Sequence, residues 1–185
     1  MDTLIALESP AAAFAPCEFR VQQATSPWEH HGALALRRAV FWAEQGVFAG
    51  SDLDETDRHA TCLVAVSQVG GAPDQVVGTV RIHEEAPRLW WGSRLAVHAA
   101  FRHHGRIGAT LIRLAVASAN ARGCDRFLAH VQAQNVTMFE RLHWRSLGAL
   151  TLHGRPHHQM EAALDAYPPC ADPRAGYVTR SAGTR

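Results

Sequence analysis

The sequence predicts a mixed α/β fold: a mostly antiparallel sheet of about seven strands flanked by helices, with a strand–phosphate-loop–helix motif. Three observations lead there. Runs of strand-forming residues recur through residues 60–97 with turn residues between them, as a β-meander requires. Helical patterns then alternate with further strand-like runs, which implies one right-handed strand–helix–strand crossover. Between the two lies "LAVHAAFRHHGRIGATLI", residues 95–112, where an apolar run meets a basic turn with two glycines and a helix starts at once. Such a turn presents free backbone N–H groups and the positive end of a helix dipole, which together bind an anion.

In chain order, "CEFRVQQ" alternates as a short strand, and Ser26-Pro27 opens a helix over about residues 28–45, with Leu34, Arg38, Phe41 and Gln45 marking its faces and Gly46 ending it. "SDLDETD" reads as an acidic, solvated loop with a turn of helix. "ATCLVAVSQ" and "QVVGTVRIHE" are strands joined by "VGGAPD", a hairpin turn by its Gly-Gly and Pro-Asp content. "RLWWGSRLAV" completes the meander. Residues 108–122 carry Leu111, Ile112, Leu114, Ala115 and Val116 at helical spacing and stop at Gly123. "RFLAHVQ" is a strand, "QNVTMFERLHWRSLG" a short helix, and "ALTLHG" and "HHQMEAAL" two final strands. Residues 1–16 read as a lead-in, 17–165 as the domain, and the Pro-rich residues 166–185 as a mobile tail.

Composition narrows the function. The chain has 185 residues, 47% hydrophobic and 19% charged, with a net charge of +1. One soluble globular domain is expected, without a nucleic-acid or membrane surface. All 18 basic residues are arginine, so Schiff-base lysine and P-loop lysine chemistry are excluded. Cys17, Cys62, Cys124 and Cys170 are scattered, with no Cys-x-x-Cys pair, which fits a reduced, cytoplasmic setting. The twelve histidines include adjacent doublets whose side chains diverge, and no His-Glu-x-x-His pattern occurs, so no metal is expected. No apolar run is long enough to span a bilayer.

In the order of its elements, residues 20–164 resemble the GNAT superfamily of acetyl-CoA-dependent N-acetyltransferases; the most specific stretches are "LAVHAAFRHHGRIGATLIRLA" and "QNVTMFERLHW". "LRRAVFWAEQGV" resembles the first helix of a bacterial subgroup, and the chain more loosely resembles acetyltransferases encoded beside nitrilases in nitrogen-starvation gene clusters. The resemblance implies that main-chain groups of Leu95, Ala96 and Val97 face the pantetheine arm of acetyl-CoA. It implies too that Arg102, His103, His104, Gly105, Arg106, Ile107, Gly108 and Ala109 wrap the pyrophosphate, and that Asn135 and the position of Phe139 lie near the thiol. Two departures stand out. Arg102-x-x-Gly105 fits the family's loop, but the next expected small residue falls on Ile107; anchored from Gly108 instead, Arg106 stands where glycine is usual. Phe139 aligns with a tyrosine that protonates the leaving thiolate in many members, and a phenylalanine has no proton to give, which makes His143 a substitute candidate.

Acetyl transfer also needs a base for the amine proton. Candidates are Glu84 and Glu85 at the end of the meander, His83 beside them, His98 after the strand, and Glu44 on the first helix. Each has a structural alternative: Glu84 a solvated strand end, His98 a polar strand terminus, Glu44 an ion pair with an arginine, Asn135 a helix N-cap. Trp90 and Trp91 alternate, so one belongs to the core and the other is free to line an acceptor pocket. The expected activity is direct transfer of an acetyl group from acetyl-CoA to the amine of a small molecule. The alternatives are a longer acyl donor, a non-catalytic acyl-CoA sensor and, more distantly, a zinc-binding interaction domain. A homodimer through the final strands is compatible with the sequence.

Overall fold

A computed structural model describes residues 16–104 and 106–181. Eight strands form one sheet in the order β6-β7-β5-β4-β3-β2-β1-β8. They are β1 (Glu18–Gln23), β2 (Thr61–Val69), β3 (Ala72–Ala86), β4 (Leu89–Val97), β5 (Arg126–Gln132), β6 (Trp144–Leu152), β7 (Arg155–Ala162) and β8 (Tyr177–Arg180). The β4–β5 pairing is parallel and the other pairings with a defined register are antiparallel. The helices are α1 (Pro27–Arg37), α2 (Ile107–Ala121) and α3 (Val136–Arg141). Among the described residues no helix is long and apolar enough to cross a membrane.

One sheet face carries most of the core. From α2, Ile107, Leu111, Leu114 and Val116 are almost fully buried and share a cluster with Phe19, Val21, Leu63, Ile82 and Phe127 of the strands. Each such side chain contributes about 1.5–3 kcal/mol by leaving water. Gly78 lets α2 lie close, since a Cβ there would come within 2.9 Å of both Ile107 and Leu111 side chains. α1 covers the other face over β2, β3 and β4. Its start is fixed by the buried Glu29 carboxylate, which accepts the N–H groups of Thr25 and Ser26 at 2.8 and 2.9 Å. The long first helix of the sequence is continuous but changes pitch: residues Arg38–Glu44 form a π-helical segment, closed by an N–H of Gln45 bonded to Val40 O.

Two expectations need correction. The acidic loop keeps an exposed surface, but its aspartates are tied to arginines rather than left to solvent. Asp52 is buried and pairs with Arg37 at 2.8 Å, Asp57 pairs with Arg37 and Arg81, and Asp54 pairs with Arg81 and Arg94. The acids match a cluster of arginines that only folding assembles. Nor are residues 166–181 a mobile tail. Cys170 N–H bonds Ala117 O at 2.9 Å, Asn120 Nδ2 holds Tyr167 O at 2.7 Å, and β8 pairs with β1. A four-residue strand is too short to show periodicity in sequence. Of the expected lead-in, all but Pro16 lies outside the described residues, as do residues 182–185.

Candidate active site

The site begins where two paired strands part. β4 and β5 are in register over residues 89–92 and 126–129, ending at Gly92↔Ala129. Both strands run on, β4 toward β3 and β5 toward β7, and no ladder pair joins them further. The cause is a bulge. Between the pairs Thr79↔Ala96 and Arg81↔Ser93, β3 has one residue where β4 has two, Arg94 and Leu95, and Arg94 takes φ +55°. A bulge bends and twists its strand, here away from β5. Arg94 is held in that conformation by Asp52 at 2.9 Å and Asp54 at 3.0 Å, with its guanidinium over Phe48 at 4.6 Å. The ion-pair cluster therefore fixes the shape of β4 at the opening. Burial raises the carboxyl pKa of Asp57, but hydrogen bonds from Arg37, Asp54 N–H and Arg81 outweigh it and hold that carboxyl far below the usual range.

α2 starts at the far end of this opening. Arg106, its N-cap, lies in the left-handed region at φ +51° and makes no side-chain cap bond. Position 106 therefore has the backbone that glycine favours, which supports the anchoring of the loop from Gly108; an arginine there costs roughly 1–2 kcal/mol of strain. The first bond of the helix runs from Thr110 N–H to Arg106 O at 2.9 Å. Gly108 and Ala109 N–H precede it and have no acceptor among the described residues, as helix geometry dictates. A Cβ on Gly108 would meet only Val97 Cγ2, at an ordinary 3.7 Å. Among the described residues that space is otherwise open. Arg102 lies beside it, donating to Val97 O at 3.1 Å and pairing with Glu44 at 2.5 Å. These groups fit the pyrophosphate and pantetheine of acetyl-CoA.

On the α1 face, the segment after the π-helix reaches across the opening. Gln132 Nε2 donates to Gln45 Oε1 at 3.1 Å, Arg155 donates to Gln45 O, and Phe48 packs on His153 with ring centroids 4.9 Å apart. Beneath it, His130 follows the last β4–β5 rung and packs against Trp91 at a tilt, with ring centroids 4.8 Å apart. Loss of hydration and the nearby His157 push His130 below the ordinary histidine pKa. His83, the β3 partner of Trp91, is buried with Nε2 3.1 Å from Glu85 and Nδ1 unpartnered. Burial likewise lowers its pKa.

The expected site residues divide accordingly. Leu95, Ala96, Val97, His98, Arg102, Ile107, Gly108, Ala109 and Glu44 gather at the end of β4. Ile107 and Ala96 have buried side chains and offer only main chain. Glu44 is an ion-pair partner, and Arg102 lowers its pKa, which weakens it as a base. His98 caps the following turn, accepting Ala100 N–H at 3.3 Å. His103 and Arg106 are exposed beside the loop, His104 contacts Ser181 Oγ at 3.3 Å, and Gly105 lies outside the described residues. Asn135 is exposed after β5 with no side-chain cap bond.

Three do not join the site. Glu84 pairs across from Trp90 and accepts Arg88 N–H at 2.7 Å in the β3–β4 hairpin, about 25 Å along β4 from His98. His143 follows α3 at the opposite end of β5 from Gln132, with its carbonyl bonded to Ala163 N–H. Phe139 is core, edge-on to Trp144 at 5.0 Å. Neither tyrosine replaces it: the Tyr167 hydroxyl donates to Leu142 O and accepts from Trp144 Nε1, and Tyr177 is on β8. His130 was not among the sequence candidates; its only signal was a polar residue inside "RFLAHVQ", between the polar ends Arg126 and Gln132. Among the described residues no three His, Cys, Asp or Glu side chains converge as a metal site.

The parallel seam thus opens beside the N-terminus of α2, within a mixed sheet flanked by helices on both faces. The model of the Acetyltransferase (GNAT) family matches residues 17–144, and the chain belongs to that family. A Bacillus subtilis (strain 168) protein named "Putative acetyltransferase" is 29% identical over 150 residues, 79% of this chain and 97% of the relative. The crystal structure of a "putative N-acetyltransferase" from Lactobacillus plantarum matches with a TM-score of 0.69 and 27% identity over 78% of this chain and 97% of that one. An acyl-CoA N-acyltransferase from Pseudomonas aeruginosa shares the fold, with a TM-score of 0.64 and 19% identity over 78% and 98% of the two chains.

Proposed function

We propose that the protein transfers an acetyl group from acetyl-CoA to the amine of a small molecule, directly and with His130 as the base. The observation that carries this reading is the open β4–β5 seam, with two helix N–H groups that have no acceptor among the described residues at one end and a histidine against an indole at its start. Bound acetyl-CoA supplies the thioester carbonyl that the amine attacks. Gly108 and Ala109 N–H, with Arg102 and the positive end of α2, hold the pyrophosphate. Main-chain groups of residues 93–97, unpaired toward β5, orient the pantetheine arm. The acceptor enters from the α1 face, where the half-buried Trp91 offers aromatic surface to an amine. His130 takes the proton at a ring nitrogen; its lowered pKa keeps it neutral at physiological pH.

Direct transfer fits the cysteines. Burial pushes the Cys124 thiol up to about 11 and raises that of Cys62, so neither is a ready nucleophile. The test follows thiol release from acetyl-CoA by the purified protein across a panel of small amines, in wild type, Gly108→Glu and His130→Gln. Amine-dependent thiol release that both variants lose supports the reading. Full activity in His130→Gln sinks its role, and thiol release indifferent to Gly108→Glu sinks the donor site. A second reading is a non-catalytic acyl-CoA sensor, favoured by Phe139 and by the lack of a tyrosine free to protonate a thiolate. Donor binding without thiol release from any amine would select it, and a series of acyl chain lengths tests for a longer donor.

A further inference from the structure

The C-terminal segment builds a second concavity on the far side of α2. Between α2 and residues 166–179 lies a cavity of about 560 Å³. That is within the range of small-molecule sites. Its floor is one face of α2, where Arg106, Thr110 and Arg113 follow each other at helical spacing. Pro168, Tyr177 and Val178 form the opposite wall. The wall is held in place by the β1–β8 ladder and by the bond from Cys170 N–H to Ala117 O. Gly176 seats it against β1 so closely that a Cβ would fall 2.0 Å from Val21 O.

Arg106 and Arg113 are exposed at the cavity and, like several other surface arginines, have no carboxylate partner among the described residues; here the two lie about two helical turns apart on a single face. Two guanidinium groups beside an aromatic and apolar wall match an anionic head on an apolar body. The cavity is on the β1–β8 side of α2, whereas the donor opening is between β4 and β5.

We propose that this cavity is a second ligand site, which takes a small molecule bearing a phosphate or carboxylate held between Arg106 and Arg113. It does not depend on turnover or on the identity of the amine. The test is thermal unfolding of the full chain, saturated with coenzyme A so that the donor site is filled. Citrate and inorganic phosphate are each compared with sodium chloride at equal ionic strength. Wild type is expected to gain about 3 °C in Tm with at least one of the two anions. The gain falls by half or more in Arg113→Gln and returns in Arg113→Lys; response to citrate alone marks a carboxylate ligand, and response to phosphate marks a phosphate-bearing one. No gain in wild type, or an equal gain in Arg113→Gln, overturns the proposal. So does weaker binding of coenzyme A, but not of dephospho-coenzyme A, to Arg113→Gln, because the arginine pair would then serve the 3′-phosphate of the donor.

Discussion

The lower and upper halves of the β4–β5 seam are made by the same two strands and behave in opposite ways. Below Gly92 and Ala129 the backbones are paired and Phe127 presses on Gly92 so closely that a Cβ there would come 3.0 Å from its ring. Above them Arg94 bulges, β4 keeps only its β3 partner, and a column of main-chain groups faces an opening. The closed half gives stability. The open half is the proposed donor site, because backbone groups without a ladder partner are the ones a donor is able to use. The switch between the halves depends on two carboxylates and one arginine.

The contrast is broken most severely at the end of the open half. Gly108→Glu is expected to reduce acetyl-CoA affinity more than about 100-fold by calorimetry, since it puts a carboxylate at the proposed pyrophosphate site. Its stability should hold or rise slightly, because an acid in the first turn suits the helix dipole and the Cβ has room. His130→Gln should lower kcat by roughly 10²-fold or more with the donor affinity unchanged. With His130 pushed below its ordinary value, the acidic limb of kcat/KM for wild type should fall below pH 6.5 and vanish in the variant's residual activity.

Asp57→Ala leaves Arg37 and Arg81 short of a partner at low exposure, and is expected to cost about 3 kcal/mol in urea denaturation. Removing the exposed Arg88–Asp125 pair of the closed half with Arg88→Ala should leave the urea midpoint nearly unchanged. The pH sign follows from the same carboxylates. Asp54 and Asp57 have folded pKa values below their unfolded ones, so their stabilisation is complete above the unfolded value of about 4 and is lost as pH falls through the folded values. The smallest effect belongs to Glu84→Gln, whose hairpin bond is remote from the opening; activity within about twofold of wild type is expected.

Much of the fold was legible in the sequence because its signals are local. Gly70 and Gly71 turn the β2–β3 hairpin at positive φ, and α2 is apolar along most of its length. The strand–loop–helix was legible for the same reason, and its left-handed Arg106 explains why the loop motif looked one residue out of step. What escaped depends on pairing across long separations. The acids at 52–57 look solvated until Arg37, Arg81 and Arg94 arrive from three other elements. β8 gains its identity only from β1, about 160 residues earlier in the chain. Glu84 and His143 had suitable chemistry at the wrong ends of their strands, a matter of direction that composition does not encode. His130 was passed over because only the parallel register sets it beside Trp91.

The most direct measurement is backbone hydrogen exchange with and without saturating acetyl-CoA. Added protection is expected in peptides covering residues 93–97 and the first turn of α2, with little change over residues 89–92 and 177–180. Protection confined to the closed half of the seam, or none at Gly108 and Ala109, would contradict a donor held in the opening between β4 and β5.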